Sequence, residues 1–237
     1  MPHSLLRESL AEFIGTFILV FIGAASVLVA PIYGLLVPAF AHGFIVIGLI
    51  YTFGHISGTQ INPAVTLALF VGRQQNATKS AIFILVQFVG GIVAAIVLVL
   101  LFPQDNSAVV EFLGSATYNF GETKGFLTTD SIWSAAVYEG ILVFILVTTI
   151  FQTAVYSKAQ NLAGVAIGLT LTALILGGGP ATGASINPAR SLGPALMASV
   201  SGHDIAYIIP YCVGLFAGGA IAGLFNTHIL YDVTKQN

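Results

Sequence analysis

Charge is what this sequence has least of. Only 7% of its 237 residues are Asp, Glu, Lys or Arg, against about a quarter in soluble domains. With 57% hydrophobic residues, the chain is too apolar to cover a water-exposed globule, so a bilayer is its expected solvent. It has a single cysteine, Cys212, which excludes an internal disulfide and a thiolate metal cluster. A net charge of −2 without a basic stripe offers nucleic acid nothing to bind. Neither a nucleophile–base pair nor metal-ligand spacing is visible, so no enzyme activity and no cofactor are expected. The N-terminus lacks the short apolar stretch and cleavage site of a signal peptide. Its first apolar run is long enough to remain as a membrane span.

Six runs are long enough to cross a hydrocarbon core, which takes around 20 helical residues. They lie near residues 9–30, 35–54, 80–101, 132–155, 161–178 and 206–230. Two further apolar runs, 63–71 and 188–197, are too short. At 1.5 Å per residue each makes a helix of roughly 14 Å, half a membrane. They are expected as re-entrant half-helices entered through extended loops.

Both short runs begin inside a repeated phrase. Ser57-Gly58-Thr59-Gln60-Ile61-Asn62-Pro63-Ala64 returns as Thr182-Gly183-Ala184-Ser185-Ile186-Asn187-Pro188-Ala189-Arg190. Asn is a good helix N-cap, Pro suits the first helical position and Ala permits close packing of that turn. Flanking residues match too. Ala11-Glu12-Phe13 pairs with Tyr138-Glu139-Gly140, and Gln87-Phe88-Val89-Gly90 with Tyr211-Cys212-Val213-Gly214. The chain therefore reads as one channel domain, 1–237, built of two halves, about 1–102 and 132–237, joined by a polar segment, 103–131. Three spans per half is an odd number, so the halves insert with opposite orientation, as an inverted repeat. Arg7, Arg73, Lys79, Lys158 and Lys235 fall on one side of this topology, with only Lys124 on the other. The positive-inside rule then places both termini in the cytoplasm and the joining segment outside.

Non-helical backbone at membrane depth must be buried in protein or line water. The two loops are thus expected to line a pore, with the N-termini of both half-helices meeting near its middle. Each such end carries roughly half a positive charge, which repels cations, including hydronium. Asn62 and Asn187 would cap these ends through their oxygens and keep their amide NH2 groups free for a solute. Arg190 is a charge at membrane depth, so a water-filled path is expected beside it. Glu12 and Glu139 are expected to accept from loop N–H groups, a proton relay being the other reading. His55, just before the first loop, is expected to fix that loop or to supply a carbonyl.

These residues resemble the aquaporins of the major intrinsic protein family, over nearly the whole chain. The resemblance implies an all-α membrane fold of six transmembrane helices and two half-helices, one pore per subunit and a homotetramer. It implies that Asn62, Pro63, Ala64, Asn187, Pro188, Ala189 and Arg190 serve the pore, and that Glu12 and Glu139 support the loops. The family's narrow filter maps onto His42, Ile175, Ala184 and Arg190. Water-selective members carry Phe, His, a small residue and Arg there. Glycerol channels carry Trp, Gly, Phe and Arg, followed by Asp, where this chain has Ser191. The quartet is most similar to that of plant vacuolar-type members.

The expected function is a passive water channel of the cell membrane that excludes protons and ions. The missing aromatic ring extends the expectation to ammonia, urea and hydrogen peroxide. A glycerol or small-solute facilitator and a coupled secondary transporter are the alternatives. Because an unperturbed His titrates near pH 6.5, His42 at the constriction would make flux depend on pH between about 5 and 8.

Overall fold

The computed structural model describes residues 4–113 and 118–230; Lys235 lies outside them. Among the described residues every regular element is helical. The long elements are α1 (Leu5–Leu28), α2 (Leu36–Ser57), α4 (Ala77–Leu101), α5 (Ile132–Ile150), α6 (Ala163–Thr182) and α8 (Ile208–Phe225), with half-helices α3 (Pro63–Val71) and α7 (Pro188–Val200) between them. Single π-turns extend α5 over Phe151–Val155 and α8 over Asn226–Leu230. Six segments of 22 to 25 residues are apolar and long enough to span a membrane.

Local chemistry sets the boundaries. Ser4 caps α1 by accepting from Arg7 N–H, and Asn76 caps α4 by accepting from Lys79 N–H. The helices α2 and α6 run three to four residues beyond the expected stops at 54 and 178. The expected stops fall at Gly54 and Gly178, yet the helices continue until Gly58 (φ +91°) and Gly183 (φ +84°) take the left-handed conformation. That conformation is cheap for glycine and is a common helix ending. Half-helix α3 keeps its expected bounds, whereas α7 runs three residues further, to Val200.

The packing repeats across the two halves. Helix α1 lies on α4 as α5 lies on α8, and α2 meets α6 across the divide. Each half-helix rests on the third span of the opposite half, α7 on α4 and α3 on α8. Small residues make this possible. A Cβ on Gly91 would stand 2.5 Å from the Ala189 carbonyl oxygen, and one on Gly219 would stand 2.6 Å from that of Ala64. The outer faces of the spans, including Leu100, Trp133, Val137 and Ile209, are exposed and apolar, as a lipid-facing surface requires. The segment joining the halves is not a bare loop. It holds two short helices, Ser107–Leu113 and Phe126–Asp130, and its residues 119–125 fold inward over the site.

Candidate functional site: a joint of two half-helices

Both Asn-Pro-Ala copies form helix starts. Asn62 Oδ1 accepts from Ala64 and Val65 N–H, at 2.9 and 3.5 Å, and Asn187 Oδ1 accepts from Ala189 and Arg190 N–H, at 3.0 and 3.3 Å. Pro63 and Pro188 sit at the first helical position, where no N–H is needed. The two tips touch. Asn62 Nδ2 donates to the Ile186 carbonyl at 2.8 Å, and Asn187 Nδ2 donates to the Ile61 carbonyl at 2.9 Å. This corrects the expectation that both amide groups are wholly free. Each NH2 has two N–H donors, and one of them ties its half to the other.

The loops leading to these tips are wound in unusual backbone. Thr59, Ile61, Ala184 and Ile186 all have φ between +42° and +59°. For a β-branched residue such as Ile this is a true outlier, costing of order 1–3 kcal/mol. The two buried glutamates hold it in place. Glu12 accepts from Gln60 N–H (2.9 Å), Ile61 N–H (2.6 Å), Ser57 Oγ (2.6 Å) and Gln87 Nε2 (2.8 Å). Glu139 accepts from Ser185 N–H (3.2 Å), Ile186 N–H (2.8 Å), Thr182 Oγ1 (2.5 Å) and the Tyr211 hydroxyl (2.8 Å). In a planar trans peptide the C=O points opposite to the N–H. With these N–H groups turned to the glutamates, the carbonyls of Thr59, Gln60, Ala184 and Ser185 are turned away from them. The loop residues Gly58 to Asn62 and Ser185 to Asn187 line a cavity of about 260 Å³.

That cavity runs from His42 and Arg190 past both asparagines to Ala154 and Val155 near the far end of α5, with Leu19, Val46, Leu146, Ile167 and Leu171 as apolar wall. A second cavity of about 380 Å³ opens on the side of the joining segment and is lined by Ile175, Ala184, Asn119, Glu122 and Lys124, among others. His42 lines both, so its imidazole stands at their boundary. All four residues of the expected filter therefore gather there, Arg190 on the first cavity and Ile175 with Ala184 on the second. Thr123, Ser191 and Ser185 are linked by hydroxyl hydrogen bonds of 3.1 and 2.5 Å beside them.

Arg190 is 1% exposed. Its Nε donates to His42 Nε2 at 3.2 Å and its Nη1 to the Gly121 carbonyl at 2.6 Å. Its Nη2 is the one buried side-chain nitrogen or oxygen without a partner among the described residues. His42 Nδ1 lies 2.7 Å from the Pro38 carbonyl, so this nitrogen is the donor and Nε2 the acceptor. A Cβ on Gly23 would collide with the same imidazole. His55 is exposed on the last turn of α2, while the first loop's N–H groups at 60 and 61 turn to Glu12.

Sequence reasoning did not single out Gln87, Tyr211, Gly23, Gly121 or Glu122. Gln87 and Tyr211 left a signal, as polar residues at matched positions of two apolar spans. The other three left none, because their importance lies in contacts with residues far away in the chain.

The family profile described as "Major intrinsic protein" matches residues 2–226. Nodulin-26 of Glycine max is 35% identical over 238 residues, 98% of this chain and 83% of that protein. Aquaporin Z of Photorhabdus laumondii is 34% identical over 231 residues, 93% of this chain and 98% of that protein. Among solved structures, the aquaglyceroporin from Plasmodium falciparum superposes with a TM-score of 0.81 at 21% identity, covering 96% of this chain and 97% of that one.

Proposed function

The chain belongs to the major intrinsic protein family, whose members are channels and not enzymes, and from that premise we propose that it is a passive water channel that excludes protons and ions. The observation that carries this reading is the reciprocal Asn62–Ile186 and Asn187–Ile61 pairing on the wall of a continuous cavity. Two positive helix ends face one point there. The second N–H of each asparagine is left to donate to a passing water. A water that accepts from both presents its own hydrogens outward, away from the joint, so no proton wire runs through it.

Arg190 adds a fixed positive charge and an unpartnered donor at the constriction. The side chains of Ile175 and Ala184 offer no hydrogen bond and no ring, so the passage also suits small neutral solutes such as ammonia, urea and hydrogen peroxide. The lack of a ring and of a side-chain hydrogen-bonding group at Ile175 and Ala184 is the feature that favours a glycerol or small-solute facilitator as the second reading. Coupled transport finds less support. It needs a free ion-binding group on the path; Glu12 and Glu139 are fully buried, line neither cavity and spend their oxygens on the loops, and Glu122 on the second cavity is paired with Lys124.

The functional protein is a homotetramer with one pore per subunit, set in the cell membrane with both termini in the cytoplasm. Arg7, Arg73, Lys79 and Lys158 lie on that side and Lys124 on the other. Light scattering from reconstituted vesicles challenged in turn with an impermeant osmolyte, urea, ammonia and glycerol tests the solute range. Rapid water, urea and ammonia equilibration with slow glycerol is expected. Glycerol flux as fast as urea flux would favour the facilitator.

A further inference from the structure

The segment joining the halves ends its inward fold in a tight corner at Phe120–Glu122. Phe120 has φ +53° and is 1% exposed; Gly121 has φ +70°. Asn119 fastens the corner to α1, donating from Nδ2 to the Val27 carbonyl at 3.2 Å and accepting on Oδ1 from Gly121 N–H at 3.0 Å. A Cβ on Gly121 would stand 2.6 Å from that of Ala24, so only glycine fits there. The product of this corner is one carbonyl, that of Gly121, aimed at Arg190 Nη1.

The next residue fastens the corner on its other side. The Glu122 side chain is only 4% exposed. Its Oε1 lies 2.9 Å from Lys124 Nζ and accepts from the Tyr207 hydroxyl at 3.2 Å. Its Oε2 lies 3.1 Å from Lys124 Nζ and 3.4 Å from His203 Nδ1. Lys124 also donates to the Asp204 carbonyl at 3.3 Å and lies over the Tyr207 ring. The Phe120 ring meets His203 edge-on. Burial, then the neighbouring Glu122 carboxylate, pushes the Tyr207 phenol above its ordinary pKa, which keeps it a donor. The cluster thus ties the corner to residues 203–207, which lead into α8.

We propose that Glu122 is a positioning residue for Arg190. It fastens the 120–122 corner to Lys124, His203 and Tyr207, and so holds the Gly121 carbonyl on Arg190 and sets solute discrimination at the constriction. Without that carbonyl the Arg190 guanidinium keeps only its bond to His42. The guanidinium then leaves its place for part of the time, and the constriction widens on that side. The first half has Val65 at the matching position, so no second arginine compensates.

The inference rests on the channel reading, and the test separates the two. Urea and osmotic water permeability are measured by stopped-flow on vesicles holding the full-length channel. In Glu122→Ala the urea-to-water ratio is expected to rise about fivefold, the population shift that one ordinary hydrogen bond commands. Glu122→Gln keeps an oxygen for Lys124 and Tyr207, so its ratio stays near that of wild type. The same Glu122→Ala change in an Arg190→Val background leaves the ratio unchanged, because no guanidinium remains to be placed. A merely structural role would act in both backgrounds alike. Should Glu122→Ala fail to assemble, Tyr207→Phe removes one donor to the carboxylate and shifts the ratio in the same direction. A wild-type ratio in Glu122→Ala (or in Tyr207→Phe, if that variant stands in), or an equal shift in both backgrounds, overturns the inference. Absence of water flux through the wild-type protein would instead overturn the channel reading beneath it.

Discussion

Glu12 and Glu139 each face four donors, two of them backbone N–H groups of strained loops. Replacing either with Gln puts an NH2 group where a carboxylate oxygen accepted from Ile61 or Ile186. One buried N–H then loses its partner, at a cost of about 1–3 kcal/mol. Glu12→Gln and Glu139→Gln are expected to lower the Tm of the detergent-solubilised channel by similar amounts. An unchanged Tm in both would remove the loop-support role. The hydrogen bonding of His42 argues against the pH dependence expected from the sequence. Arg190 donates to Nε2, a bond that only an unprotonated nitrogen accepts. Water flux is therefore expected to stay level between pH 5 and 8, and a step near pH 6.5 that vanishes in His42→Phe would restore the switch. At this scale the sequence revealed the residues that carry a repeat signal. The capping asparagines, the glutamates and Arg190 stand out because each is a costly residue at membrane depth or appears twice. Gly23, Gly121 and Glu122 are unremarkable in sequence and owe their roles to distant partners, Gly23 beside His42 and Gly121 against Ala24.

Among the elements, the half-helices depend on close approach to a span of the opposite half. Overpacking such a contact costs about 1–3 kcal/mol or more. Gly91→Val sets a branched side chain where even a Cβ meets the Ala189 carbonyl oxygen at 2.5 Å. It is expected to abolish assembly of the folded channel, read as loss of a monodisperse peak on size-exclusion chromatography. Gly177→Ala is the matched control, since nothing lies within 4 Å of a Cβ there, and it is expected to behave as wild type. A well-assembled Gly91→Val protein would contradict the packing account. The six spans and both half-helix starts were legible because length and N-cap chemistry are local. The ends of α2 and α6 lie beyond the expected stops because a glycine ends a helix where its backbone turns left-handed, which happens at Gly58 and Gly183. The two short helices of the joining segment were not legible either. At seven and five residues they are too short to hold themselves together; Phe126–Asp130 packs on α5 and α6, and Ser107–Leu113 starts where Asn106 Oδ1 accepts from Ala108 and Val109 N–H.

For the whole molecule, two halves that match at the capping asparagines, the loops and the supporting glutamates meet at one joint, and the asymmetries lie around it. Arg190 replaces Val65, Tyr211 replaces Gln87, and the joining segment covers only one mouth. The inverted repeat could be inferred from the sequence because an odd number of spans per half leaves no other arrangement. The reach of the joining segment onto Arg190 could not, since nothing local announces a contact 69 residues away. The central claim is that water passes the Asn62–Asn187 joint while protons do not. Reconstituted vesicles loaded with a pH-sensitive dye and exposed together to an osmotic and a proton gradient test it most directly. Shrinkage far faster than in empty vesicles, with no faster change in internal pH, is the expected result. Proton entry that tracks the water or solute flux would contradict it.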